Sequence, residues 1–166
     1  MTSHHRASEI GEGTRPLAYA TCVISGDDVE PAFWTKFFSV EPSTADVKGK
    51  PFKTPSGRTS SRPGRTGVWA LSSKSVVSND VLNPHIVYLI SRLKLPREDL
   101  SRLIGESGAT LSFLCFWSNY SGRRVPLIDP ALRKIVESCG GIIQIDEYPQ
   151  HHKIINKDGA EIDTWV

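Results

Sequence analysis

Few residues in this chain have chemistry to offer, and their spacing keeps them apart. Asp27-Asp28 and Asp146-Glu147 are adjacent acid pairs. Paired carboxylates can share a proton or hold a cation. Asp27-Asp28 ends a strand pattern just before Pro31, so turn formation and helix capping account for it first. Nothing in the sequence brings the two pairs together. Cys22, Cys115 and Cys139 each lie in or beside an apolar segment. A nucleophilic thiol needs a lowered pKa and a nearby base. Cys115, between Leu114 and Phe116, has the opposite surroundings. Cys139 closes a helix pattern, the wrong end of the dipole for a thiolate. His85 lies near a helix start, with no partner fixed by sequence. His4-His5 and His151-His152 are adjacent pairs, and neighbouring side chains rarely reach one ion in regular structure. No Cys-x-x-Cys or His-Glu-x-x-His occurs, so no metal is expected. Gly105-Glu106-Ser107-Gly108 has the wrong spacing for a nucleophile elbow and runs from helix to strand, so it reads as a helix end. Gly57, Gly64 and Gly67 lack the helix start and Lys-Ser/Thr ending of a phosphate loop. No catalytic residue and no cofactor is expected, and the reading is a protein that is not an enzyme.

One charged feature is not explained by folding. Lys48, Lys50, Lys53, Arg58, Arg62, Arg65 and Lys74 occur with no acid among them. Such a run can track phosphates or dock on an acidic protein surface. A solvated loop kept soluble by its charge is the plain alternative. Only Phe52 interleaves aromatically, so no base-stacking platform is indicated. Lys48, Lys50, Lys53, Arg58, Arg62 and Arg65 are the candidate partner-binding residues. Arg123-Arg124 would join them if the fold brings the two segments together.

Elements of ordinary composition must position these groups. The chain has 166 residues, 39% hydrophobic and 23% charged, with net charge +2. That fits one soluble domain with a core of its own. The total charge names no partner. The odd number of cysteines fits free thiols in a reducing cytoplasm. No run approaches the ~18 to 20 apolar residues that span a bilayer. Residues 1–16 are polar and are expected to form a disordered leader without the apolar run of a signal peptide. Residues 17–148 are expected to form the domain, and 149–166 a tail or small hairpin, with Lys157-Asp158-Gly159 as the turn.

Leu17–Ser25 reads as a buried strand. Pro31 opens a helix carrying the stripe Phe33, Trp34, Phe37 and Phe38. Val47–Lys53 is expected to hold a short strand. Residues 54–64, rich in Pro, Gly and Ser, read as a long mobile loop at the tip of a hairpin that returns in Gly67–Ser73. Asn79-Asp80 offers an N-cap to a helix with Ile86, Val87, Leu89, Ile90 and Leu93 at helical spacing. Pro96 breaks that helix and starts another, which Gly105 and Gly108 end. Thr110–Tyr120 is a strand with Phe113, Cys115 and Trp117 on one face and Leu114 and Phe116 on the other. Apolar on both faces, it belongs inside a sheet with a layer on each side or a dimer partner. Asp129-Pro130 starts a helix ended by Gly140-Gly141, and Ile142–Asp146 is a final short strand.

The order is strand, helix, strand, strand, helix, strand, then helix and strand. That predicts an α+β fold in the ferredoxin-like split βαβ arrangement. The sheet is antiparallel or mixed, its helices lie mainly on one face, and a helix and strand are added at the C-terminal end.

The strand ending in Gly26-Asp27-Asp28, the string Arg65-Thr66-Gly67-Val68-Trp69-Ala70-Leu71-Ser72-Ser73, Phe116-Trp117-Ser118 and the Asp-Pro-led helix together resemble a bacterial family. It is the domain of unknown function DUF4279, and the likeness covers residues 17–148. The resemblance implies a small intracellular α+β domain and carries no catalytic or cofactor residue. The expectation is therefore a non-enzymatic binding domain of a bacterial cytoplasm, of immunity or accessory type, that docks an acidic partner protein. Nucleic-acid binding through the basic loop is the alternative, and a homodimer is a further expectation from the two-faced strand.

Overall fold

The computed structural model describes residues 17–119, 126–149, 151–155 and 161–165. Of the last two stretches only the backbone is described. The expected leader and Arg123-Arg124 lie outside the described residues.

Strand β1 (Ala18–Gly26) alternates strictly. Ala18, Ala20, Cys22 and Ile24 are buried, while Tyr19, Thr21 and Val23 point the other way. Helix α1 (Pro31–Phe38) opens on Pro31, where a missing N–H costs nothing. Strands β2 (Thr44–Asp46) and β3 (Gly67–Ser72) follow, then helices α2 (Leu82–Leu93) and α3 (Leu100–Glu106). Strand β4 (Thr110–Asn119), helix α4 (Pro130–Ser138) and strand β5 (Gly141–Pro149) complete the layered unit. Strands β6 (His151–Ile155) and β7 (Glu161–Trp165) pair antiparallel with Ile154 opposite Ile162.

The main sheet has the order β2-β3-β1-β4-β5. Its first four strands are antiparallel neighbours, and β5 runs parallel to β4. The protein is therefore an α+β fold on a mixed sheet. β3 lies between β1 and β2. The parallel β4–β5 pair needs a crossover, and α4 supplies it.

Helices pack on one face. α1 covers β3, α2 covers β1 and β4, and α4 covers β5. The core joins Trp34 and Phe38 of α1 to Trp69 of β3, with the Phe38 and Trp69 rings 5.1 Å apart. The Trp69 indole N–H donates to Thr35 Oγ at 3.1 Å, so its polar atom is satisfied. Gly67 is required where it stands: the Val29 carbonyl occupies the place a Cβ would take. The α1 stripe is only half core, since Phe33 is 48% exposed.

Several boundaries differ from the sequence reading. The short strand lies at Thr44–Asp46, opposite Ala70, Trp69 and Val68, and not in Val47–Lys53. The chain turns at Val47–Lys50, with Gly49 at φ 78, which ends that ladder. α2 is capped by Val81 and not by Asn79-Asp80; Asn79 Oδ1 instead accepts from the Val81 N–H at 3.0 Å. α2 stops at Lys94, in the left-handed region, before Pro96 is reached, and α3 starts only at Leu100. Gly105 lies inside α3, and Gly108 at φ 60 makes the exit. The last sheet strand extends to Gly141–Pro149 because β4 pairs along its whole length. Among the described residues, no helix is long and apolar enough to cross a membrane.

Candidate functional site

The residues with chemistry fall into three places. The first is buried. His85 of α2 is fully enclosed, with Nδ1 2.8 Å from Ser73 Oγ and Nε2 2.9 Å from the Asn79 carbonyl. A carbonyl only accepts, so the Nε2–H donates to Asn79, while the one proton of the Ser73 hydroxyl has both His85 Nδ1 and, at 3.0 Å, the Ala20 carbonyl in reach. Ser73 Oγ accepts from the Ala20 N–H at 3.0 Å, and the Ser73 N–H donates to the Ala20 carbonyl at 2.9 Å. The imidazole and the Ser73 hydroxyl are thereby both held by buried partners. A serine hydroxyl beside a histidine nitrogen is also the pairing of an activated nucleophile. Yet the pair is sealed from solvent at 0% exposure for both residues. It works as a clip tying the end of β3 to β1 and α2. Sequence reasoning had His85 without a partner, and the partners lie too far along the chain for spacing to reveal them.

The second place is the basic segment, and it is not a slack loop. Residues 49–64 fold back on themselves as an irregular hairpin. Gly49 N–H donates to the Gly64 carbonyl and Gly64 N–H to the Lys50 carbonyl, both at 2.9 Å. Ser60 N–H donates to Phe52, Thr54 N–H to Arg58 and Gly57 N–H to Thr54, each at 2.8 Å. Lys53 and Thr59 form a β-bridge. The excursion leaves the sheet beside the Gly26–Gly67 pair. Lys48, Lys50, Lys53, Arg58, Arg62 and Arg65 are all exposed. Lys48 is spoken for: its Nζ lies 3.0 Å from Asp27 Oδ2. Lys53 Nζ donates to Thr59 Oγ at 3.0 Å. Lys50, Lys53, Arg58, Arg62 and Arg65 have no carboxylate within ion-pair distance among the described residues. Lys74, part of the same run in sequence, is elsewhere: its Nζ stands 5.1 Å from the centre of the Tyr19 ring.

That ring belongs to the third place, the face of the sheet away from the helices. Tyr19, Phe116 and Tyr148 form a row across β1, β4 and β5. The Tyr19 and Phe116 centroids are 4.8 Å apart with planes 13° apart, and Phe116 and Tyr148 are again 4.8 Å apart. Thr21, Leu114 and Gln144 stand in the next row, at matched positions of the same strands. Together they line a shallow cleft of about 510 Å³. Leu114 is 42% exposed, Ile142 47% and Tyr148 48%. Among the described residues no helix covers this face. Of the layer on each side or dimer partner expected for β4, the described residues supply helices on one side. Asp146 lies at the β5 end of the aromatic row, where it accepts a hydrogen bond from the Tyr148 hydroxyl; that bond, then the Asp146 charge, holds the phenol above the usual range.

The acid pairs stay apart, Asp27-Asp28 at one end of β1 and Asp146-Glu147 at the other. Glu147 is engaged, accepting from Asn119 Nδ2 at 2.7 Å. The cysteines are all free and buried. Burial pushes the Cys22 thiol far up, with Cys139 adding to it. Burial also pushes Cys115 up to about 12, against a smaller opposing pull from Arg133. Such thiols are inert. Among the described residues no three His, Cys, Asp or Glu side chains gather to hold a metal.

An α+β domain with a helix-covered sheet face, an open aromatic face and a basic excursion is the class these observations define. Residues 16–150 match the family described as Domain of unknown function (DUF4279), and the chain belongs to that family. β6 and β7 lie beyond the matched residues. No curated protein and no solved structure matches the chain.

Proposed function

We propose that this domain is a non-enzymatic binding module that docks an acidic surface of a partner protein through its basic excursion. A single observation carries the reading. Lys50, Lys53, Arg58, Arg62 and Arg65 project from a hydrogen-bonded hairpin without a neutralising carboxylate among the described residues. Free cations near one another repel, which is a standing cost unless a partner relieves it. Their backbone is held by its own hydrogen bonds, which lowers the conformational entropy that binding would cost. Unpaired surface cations also steer association with a surface of opposite sign. Buried free thiols suit a reducing compartment, in keeping with a cytoplasmic protein of immunity or accessory type.

Affinity capture from the native cell, comparing the wild-type chain with R58E/R62E/R65E, tests this reading. The expected result is a protein partner held by the wild type and lost from the variant, with association slowed and melting unchanged. Equal capture by both chains would overturn the reading. A gel shift showing tight, salt-sensitive nucleic-acid binding that vanishes in the variant would replace it with the nucleic-acid alternative.

A further inference from the structure

We propose that the open face of the sheet is where two copies of this chain pack against each other. The face carries what a self-complementary contact requires. Leu114, Phe116, Ile142 and Tyr148 give it an apolar centre, and three of the four are more than two-fifths exposed. Water-exposed aromatic and aliphatic groups gathered on one face mark an interaction surface and not a scatter of single residues. Four strands at ~4.8 Å spacing and about eight residues of ~3.3 Å rise give a face of roughly 500 Å² in projection. Two such faces reach about the lower limit of a specific interface, so the pairing is expected to be of micromolar strength.

Charge decides the occupant. The aromatic row ends in Lys74 beside Tyr19 and in Asp146 beside Tyr148. Neither has an ion-pair partner among the described residues. They lie on opposite sides of the row: the Lys74 ammonium stands over the Tyr19 ring, and Tyr19, Phe116 and Asp146 are paired in register, so both charges fall near one level along the strands. A two-fold axis parallel to the strands reverses the row and keeps its level. It sets Lys74 of each copy over Asp146 of the other, with the aromatic rows between. A two-fold interface demands such self-complementarity, and a row with like charges at its ends would forbid it. The same axis keeps the Gly26–Gly67 ends of both sheets together. Both basic excursions then rise from one end of the dimer, giving a bivalent surface whose second contact forms at high effective concentration.

Sedimentation velocity on the full chain and three variants tests the proposal, with melting curves to show that each is folded. Wild type is expected to be a dimer at micromolar concentration. K74E and D146K should each weaken dimerisation by roughly tenfold or more through like-charge contact. The swapped variant K74E/D146K should restore it. A monomeric wild type would overturn the proposal, because the face would then be left for a different protein or for another part of this chain. A dimer that survives unchanged in both single variants would also overturn it, since the contact would lie elsewhere.

Discussion

Phe113 and Phe116 sit three residues apart on β4, yet they belong to different environments. Phe113 is fully buried beneath the helices. Phe116 stands on the opposite face, stacked between Tyr19 and Tyr148 with open space above. The same alternation runs through β1, where Cys22 and Ile24 are buried and Tyr19 and Thr21 are not. One sheet thus supplies both a core and a recognition surface. The large side chains of the core pack on the helix side, while Leu114, Ile142 and Tyr148 of the other face are more than two-fifths exposed. The buried polar groups are accordingly a structural clip at Ser73 and His85 and the enclosed thiols of Cys22 and Cys115.

The contrast can be broken at several points. The largest effect is expected on the covered face. Trp69→Ala removes a fully buried indole that packs on Phe38 and bonds Thr35, and should cost ~3 to 5 kcal/mol. Trp117→Ala, at 8% exposure, should fall in the same range of about 3 to 5 kcal/mol. Urea unfolding measures both, and wild-type midpoints would mean the helix side is not the core.

A smaller loss is expected at the buried clip. Ser73→Ala leaves His85 Nδ1 and the Ala20 N–H without their partner, at a cost of about 1 to 3 kcal/mol. Ser73→Thr keeps the hydroxyl and should recover part of it. Equal loss in both variants would point to packing and not hydrogen bonding.

Alkaline pH probes the same burial through the thiols. The folded state keeps Cys22 and Cys115 protonated, whereas the unfolded chain ionises near 9.0. Above that pH the unfolded state binds fewer protons than the folded one, so stability falls as pH rises. Melting temperature should be level from neutral pH up to that point and then decline. A thiol reagent should label native protein far more slowly than protein in denaturant, and rapid native labelling would show an exposed cysteine.

The smallest effect is expected on the excursion. R62E/R65E should leave stability within about 0.5 kcal/mol of wild type, because both side chains are exposed and carry no fold contact. A large drop in melting temperature would show that these cations hold the fold.

Much of this division was legible in the residues themselves. The two apolar faces of β4, the Pro31 and Asp129-Pro130 helix starts and the buried cysteines follow from side-chain type and period. Asp129 does cap α4, accepting from the Ala131 N–H at 2.8 Å. What escaped were pairings between distant residues. Thr44–Asp46 has little strand character of its own and is a strand because it lies along β3 as an edge. Lys48 and Asp27 meet only because the excursion leaves the sheet beside the end of β1. Lys74 separates from the other cations because β3 carries it the length of the sheet. The internal hydrogen bonds of residues 54–64 escaped for a related reason. Pro, Gly and Ser predict the absence of regular structure, while the hydrogen bonds that hold this segment come from its own backbone turning back.

The comparison between the two faces is tested most directly by treating the two phenylalanines alike. Phe113→Ala and Phe116→Ala delete the same group from the same strand. Chemical unfolding at low protein concentration should show a loss of ~3 to 5 kcal/mol for Phe113→Ala. Phe116→Ala should lose about 0.5 to 1.5 kcal/mol per aromatic pair, the worth of its stacking on Tyr19 and Tyr148. Equal, large losses in the two variants would contradict the account, because they would mean that both faces of the sheet are core.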